Sequence, residues 1–173
     1  MLSDLCRQPH KSSRFTHSSP LLADLRWWNE FLAVYNAVSL LPSSPCIDTT
    51  VRFLTDACIS GFCGFFDGRF FHSSYPPFID TALLSIASLK MLAVIVSLKL
   101  WSKELRGQQI LLRTDNQLAN NTGRSPVPYV QSCLRVLWFY ASCFDFELRA
   151  LYILGHQNTI ADSLSRWDND PQF

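Results

Sequence analysis

Apolar residues in this chain form two kinds of pattern, short continuous runs and longer stretches with a repeat of three to four residues. The short runs end at turn-forming residues and predict five strands: 51–59, 62–66, 69–72, 109–114 and 146–153. The longer stretches predict helices at 21–38, 81–105 and 158–167, and another opened by Pro126 and Pro128. A short helix or turn is expected at 116–122. This order predicts an α/β fold with a mixed sheet.

Two local signals fix the arrangement of the first strands. Asp67-Gly68 lies between two apolar runs, which is the strongest short-range signal for a β-hairpin. The run from Val51 to Ile59 is apolar almost throughout, as expected for a central strand that is buried on both faces. Three consecutive strands therefore open the sheet, with the first in its middle.

Composition narrows the class of protein. With 173 residues and 48% hydrophobic content, the chain can bury one domain core with a modest appendage. A formal charge of +1 lacks the basic excess of a dedicated nucleic-acid binder, so a neighbouring domain would have to steer any such partner. The six cysteines form no C-x-x-C pair, which argues against zinc and predicts buried free thiols.

The chain shows no secretory or membrane signal. Residues 1–20 contain no apolar core of a signal peptide. The apolar run 91–100 is bracketed by Lys90 and Lys99 and is far shorter than the roughly 20 residues of a membrane span. We therefore expect an intracellular protein, cytoplasmic or nuclear, without a membrane partner.

Three carboxylates stand at chemically suggestive places. Asp56 lies inside the first apolar run, Asp115 ends the fourth run, and Asp162 lies at the start of the last helix. Carboxylates brought together from separate elements can hold Mg²⁺, and a pair of such ions can clamp the attacking and leaving oxygens of a phosphodiester.

Each of these carboxylates also has a purely structural interpretation. Asp56 could pair with a buried arginine or with backbone donors. Asp115 could cap the turn that follows its strand. Asp162 could complete a capping box with Thr159 and complement the helix dipole, which is compatible with a role at a metal.

Four sequence words occur in an order that is characteristic of one family. They are Asp24-Leu25-Arg26-Trp27-Trp28, Thr55-Asp56-Ala57 with Gly61-Phe62-Cys63-Gly64, Thr114-Asp115-Asn116, and Asn158 with Ala161-Asp162-Ser163-Leu164-Ser165-Arg166-Trp167. Together they resemble the RNase H domain of a retrotransposon reverse transcriptase polyprotein, of the DIRS/Ngaro type that carries a tyrosine recombinase. The resemblance covers roughly residues 21 to 170.

The resemblance implies a fold, a site and a chemistry. The expected fold is RNase H-like, with a mixed five-stranded sheet and flanking helices after a short helical connection. Asp56, Asp115 and Asp162 would be the catalytic metal ligands, with Mg²⁺ or Mn²⁺ as cofactor and no small-molecule cofactor. The substrate would be an RNA–DNA hybrid, with weaker carry-over of substrate contacts to Asn116, Arg124 and Ser125. An adjacent reverse transcriptase domain would be the natural partner.

Two positions depart from the family pattern. The family word Leu-Glu-x-x-Ala reads Leu89-Lys90-Met91-Leu92-Ala93, so Lys90 replaces the catalytic glutamate. The family histidine before the last helix is replaced by Tyr152, and His156 lies in the same loop. These substitutions predict an RNase H-like domain whose hydrolytic activity is impaired or lost.

The resemblance also suggests how the chain is divided. A poorly ordered segment is expected at 1–20, a helical connection like that between polymerase and RNase H at 21–45, the RNase H-like domain at 46–168, and a tail at 169–173. Two other functions stay open: an active ribonuclease H that uses three aspartates, and a host-retained domain that binds nucleic acid or protein without catalysis.

Overall fold

The computed structural model describes residues 19–37, 52–116 and 127–167. The chain forms two compact units, Met1–Tyr35 and Asn36–Phe173. In the first unit the predicted helix is present as α1, Ser19–Leu32, but it ends before the predicted end at 38. Along it Trp27 stacks on Phe31 with ring centroids 4.7 Å apart. The four segments expected from the sequence stay predictions.

The second unit contains one mixed five-stranded sheet, as predicted. Its strands are β1 Phe53–Ala57, β2 Gly61–Phe66, β3 Arg69–Ser74, β4 Gln109–Thr114 and β5 Glu147–Tyr152, in the spatial order β3-β2-β1-β4-β5. The first three strands are antiparallel neighbours, whereas β1, β4 and β5 run parallel. The near-continuous apolar run of the first strand thus belongs to the centre of the sheet, where all five of its residues are buried.

The predicted hairpin is confirmed and has the expected turn. Asp67 and Gly68 connect β2 to β3, with φ of 48° and 80°. Positive φ at both central residues is the signature of a type I′ turn, whose twist matches that of the flanking strands.

The helices of the second unit follow the predicted order with one clear difference in length. They are α2 Ile86–Trp101, α3 Pro128–Phe144 and α4 Thr159–Ser165, the last preceded by a 3₁₀ turn at Gly155–Gln157. The helix predicted at 81–105 is shorter at both ends. Ser85 caps its start, accepting a hydrogen bond at Oγ from Ser88 N at 3.2 Å, and the helix ends at Trp101. Residues 80–83 instead form a turn, in which Asp80 Oδ1 accepts from Ala82 N. The element expected at 116–122 lies largely outside the described residues.

The two faces of the sheet bury different helices. One face packs against α2 and α3, with Phe53, Val94 and Leu137 in a single buried cluster. The opposite face packs against α4, where Leu54 contacts a cluster that contains Ala161. Adjacent residues of β1 therefore point into different cores, which explains why that strand lacks the polar alternation of a half-exposed one.

The parallel pairing of β1 and β4 decides where the functional groups lie. The register pairs Phe53 with Leu112 and Leu54 with Arg113, and Asp56 and Asp115 each follow two residues after the second pair. Both carboxylates therefore lie at the same level of neighbouring strands, at the carboxyl edge of the sheet. Across the described ranges, no helix is long and apolar enough to cross a membrane.

Close packing between β2 and α2 makes one glycine sensitive to substitution. A Cβ on Gly64 would lie 2.6 Å from Phe71 Cε1 and 3.1 Å from Trp101 Cζ3, and closer still to Ser97 Oγ. We expect Gly64→Ala to lower the free energy of unfolding by about 1–3 kcal/mol, because the core must shift to admit the methyl group. Chemical denaturation measures this change.

A matched control is Gly155→Ala, whose Cβ would meet Asp115 Oδ2 at an ordinary 3.6 Å. This variant should be as stable as the wild type or slightly more stable, since alanine restricts the unfolded chain. Equal stability of the two variants would show that α2 and β2 are not packed as described.

Candidate functional site

The carboxyl edge of the sheet opens into a cleft of about 790 Å³. Three acidic side chains predicted from the sequence line this cleft: Asp56, Asp115 and Asp162. Lys90 of α2 lies among them, and Arg166, His156 and Ser60 also line the wall. The structure thus brings together groups from β1, α2, the end of β4 and α4.

Lys90 is the centre of this cluster. Its Nζ lies 2.6 Å from both carboxylate oxygens of Asp115 and 2.9 Å from Asp56 Oδ1. The contacts with Asp115 are hydrogen bonds, whereas the contact with Asp56 is an ion pair whose angles fall outside those of a hydrogen bond. The lysine side chain is only 15% exposed, so these interactions are little screened by water.

Asp56 is held from two sides. Asp56 follows Leu54 by two residues in β1, so both side chains point to the same face of the sheet. That face packs against α4. Ser165 of α4 places its hydroxyl 3.1 Å from Asp56 Oδ2, while the same hydroxyl lies 2.9 Å from Asp162 O. The buried carboxylate therefore has a lysine as its charge partner, in place of the arginine that a structural interpretation of the sequence suggested.

Burial and ion pairing act in opposite directions on these groups. Burial lowers the pKa of Lys90, but the hydrogen bonds with Asp115 and the negative charges of Asp115 and Asp56 outweigh it and raise the pKa above its ordinary value. Burial raises the pKa of Asp56, and the nearby ammonium offsets that effect only in part. Lys90 is therefore a firmly protonated cation at neutral pH and not a base.

Asp162 lines the same cleft but has its own partner. Its Oδ1 accepts a hydrogen bond from Arg166 Nε at 3.0 Å, four residues along, and its side chain is 47% exposed. The capping box predicted with Thr159 is wrong, because α4 begins at Thr159 and its N-cap is Asn158. Asp162 still lies in the first helical turn, where a carboxylate complements the helix dipole.

The remaining predicted residues have mixed positions. Tyr152 ends β5 opposite Thr114 and does not line the cleft, whereas His156 does. Asn116 is buried, and its amide donates to Ala87 O at 3.0 Å, which ties the end of β4 to α2. Arg124 and Ser125 lie outside the described residues.

Three residues that sequence reasoning left without a role position the site. Asn158 is buried and donates from Nδ2 to Thr55 O at 3.2 Å, which joins α4 to β1 directly beside Asp56. Ser165 and Arg166 contact Asp56 and Asp162 as described above. All three belong to the last of the four sequence words, so the resemblance could have pointed to them, although their individual contacts depend on the tertiary structure.

A divalent metal does not fit the site while Lys90 occupies it. A doubly charged ion about 4 Å from the ammonium would be repelled by roughly 8 kcal/mol at an effective dielectric of about 20. Both oxygens of Asp115 are already hydrogen-bonded to Nζ. Within the described ranges, no group of three or more His, Cys, Asp or Glu side chains is arranged to hold a metal ion.

Comparison with solved structures identifies the fold. The chain is similar to the crystal structure of RNase H1 from the halophilic archaeon Halobacterium salinarum NRC-1, with a TM-score of 0.52 and 16% sequence identity. The match covers 68% of this chain and 98% of that chain. The predicted RNase H-like fold is confirmed. A scan against protein-family models matches none, and a search of curated protein sequences finds no relative.

The ion-pair centre should contribute measurably to stability. We expect Lys90→Met to lower the free energy of unfolding by about 3 kcal/mol in buffer containing a metal chelator, because two partly buried carboxylates lose their cation. Urea denaturation of both proteins measures the difference.

Lys99→Met is the matched control, since Lys99 lies on the same helix with an exposed side chain. Its effect should stay within about 0.5 kcal/mol. If Lys90→Met is as stable as this control, the ammonium does not hold the two carboxylates as described.

Proposed function

We propose that this chain is an RNase H-like domain of a DIRS-type retroelement reverse transcriptase polyprotein that has lost the hydrolysis of RNA in RNA–DNA hybrids. The observation that carries the proposal is the salt bridge from Lys90 to Asp56 and Asp115. The scaffold that would deliver the ancestral carboxylates is present, and a protonated lysine lies where a cation-dependent nuclease would need an open site.

Among the described residues of the cleft, Asp115, Asp162 and Lys90 already have charge partners. Asp115 has both oxygens engaged, and the Asp162 carboxylate is paired with Arg166. Lys90 cannot act as a general base because its pKa is raised further above neutrality by its partners. These engagements favour loss of activity over an active ribonuclease that works with three aspartates.

A non-catalytic binding role is the second candidate. Lys90 offsets part of the negative charge that Asp56 and Asp115 would otherwise present, so the cleft is less repulsive to a phosphate backbone than an uncompensated carboxylate cluster. An RNA–DNA hybrid is the partner that the resemblance to RNase H domains suggests, and an adjacent reverse transcriptase domain would supply the steering charge.

Hybrid cleavage tests the loss of activity. With Mg²⁺ or Mn²⁺, the wild-type domain should leave a labelled RNA–DNA hybrid intact, whereas Lys90→Glu should cleave it measurably. The glutamate removes the positive charge and adds an oxygen ligand of the kind these ions prefer. Gel analysis of the labelled RNA strand gives the rate.

Two controls define the result. Lys99→Glu makes the same charge change on the exposed side of α2 and should remain inactive. Asp115→Asn combined with Lys90→Glu should abolish the restored cleavage. Efficient cleavage by the wild-type domain, unchanged by Lys90→Glu, would show that the active site is built from other residues. Metal-independent binding of the uncut hybrid would favour the non-catalytic role.

A further inference from the structure

Carboxylate oxygens of two residues surround the ammonium group of Lys90. Three carboxylate oxygens, two from Asp115 and one from Asp56, lie within 2.9 Å of its Nζ. An ammonium has three N–H donors and no acceptor; here it donates to both oxygens of Asp115 and forms an ion pair with Asp56. These oxygens come from two neighbouring parallel strands, and the nitrogen comes from a helix.

The two carboxylates need a cation at this point. They lie at the same level of β1 and β4, close enough for one nitrogen to contact both. Like charges held this close, one of them on a buried side chain, would repel each other and favour protonation if nothing lay between them. Any cation that fits between them, an ammonium or a metal ion, would offset this repulsion and keep both carboxylates ionised.

The backbone position of Lys90 is fixed by the surrounding fold. Its neighbours in α2, Leu89 and Met91, are buried at 1% and 0% exposure. The start of the same helix is held by the Ser85 cap and by the hydrogen bond from Asn116 to Ala87 O. The helix therefore cannot withdraw its lysine without disturbing packed core residues.

From this geometry we infer that the chain supplies its own cation: Lys90 permanently fills the position between Asp56 and Asp115, and the site accepts a divalent ion only when that ammonium is removed. The inference rests on the proposed function in one respect, that a divalent ion was the ancestral occupant. The lysine acts as a built-in blocking group, and it makes the fold independent of metal.

Thermal unfolding with and without divalent ions tests the inference. The melting temperature of the wild type should not respond to Mg²⁺ or Mn²⁺ after removal of chelator. Lys90→Met should melt lower in chelator and should then be stabilised by Mn²⁺, saturably and by about 4 °C or more, because the ion binds only the folded site. Adding Asp115→Asn to Lys90→Met should remove that response.

The control for adding Asp115→Asn is Asp67→Asn, which removes a carboxylate from the hairpin turn instead of from the site. Asp67 has a φ of 48°, which asparagine tolerates. Combined with Lys90→Met it should leave the Mn²⁺ response intact. An equal Mn²⁺ response in wild type and Lys90→Met would overturn the inference.

Direct Mn²⁺ binding to the wild type keeps the inference testable if Lys90→Met does not fold. Electron paramagnetic resonance of Mn²⁺ titrated into the wild-type domain should show only free ion, and uptake of one Mn²⁺ per chain that Asp115→Asn abolishes would overturn the inference. Uptake without hybrid cleavage would overturn this inference alone. Cleavage by the wild type would overturn the proposed function.

Chemical rescue distinguishes a required cation from lost packing. Lys90→Ala keeps Cβ, so n-propylammonium has the carbons and nitrogen needed to replace the missing part of the side chain. It should raise the melting temperature of Lys90→Ala more than that of the wild type. Tetramethylammonium, which has no N–H donor, should not do so at equal concentration. Equal effects of the two ions would contradict a site that requires an ammonium donor.

Discussion

The salt bridge that joins Lys90 to Asp56 and Asp115 is the interaction that determines the charge balance of the site. Pairing β1 with β4 in parallel places two carboxylates at one level of the sheet edge, and such a pair requires a cation. A lysine on α2 supplies that cation from within the chain. The same interaction links a helix to two strands and removes the opening that a metal ion would need.

The rest of the fold supports that geometry. Helix α2 is apolar on nearly all sides and packs against the sheet, so the few polar positions it carries need partners. Asn116 and Asn158 use buried amides to tie the end of β4 to α2 and α4 to β1. Because these links surround the site, small changes in its charge should alter stability as well as chemistry.

Much of this fold could be predicted from the sequence, and the reasons are specific. The buried run around Asp56 and the Asp67-Gly68 turn fixed the first three strands, because each has few alternatives. The start of α2 could not be predicted as well, since the apolar positions before Ser85 resemble helix while the side chains of Asp80 and Ser85 stabilise a turn and a cap. Local hydrogen bonds of this kind leave little trace in periodicity.

For the candidate site, the sequence indicated which acidic residues belong to it, but not which partners they contact. The words around Asp56, Asp115 and Asp162 indicated the cleft, but the pairing of Asp162 with Arg166 and the place of His156 depend on tertiary geometry.

The most direct measurement of the central claim is a crystal structure of the wild-type domain grown with Mn²⁺. The anomalous map should show no ion between Asp56 and Asp115, with Lys90 Nζ between them. An anomalous peak bonded to both carboxylates, with Lys90 displaced, would contradict the account.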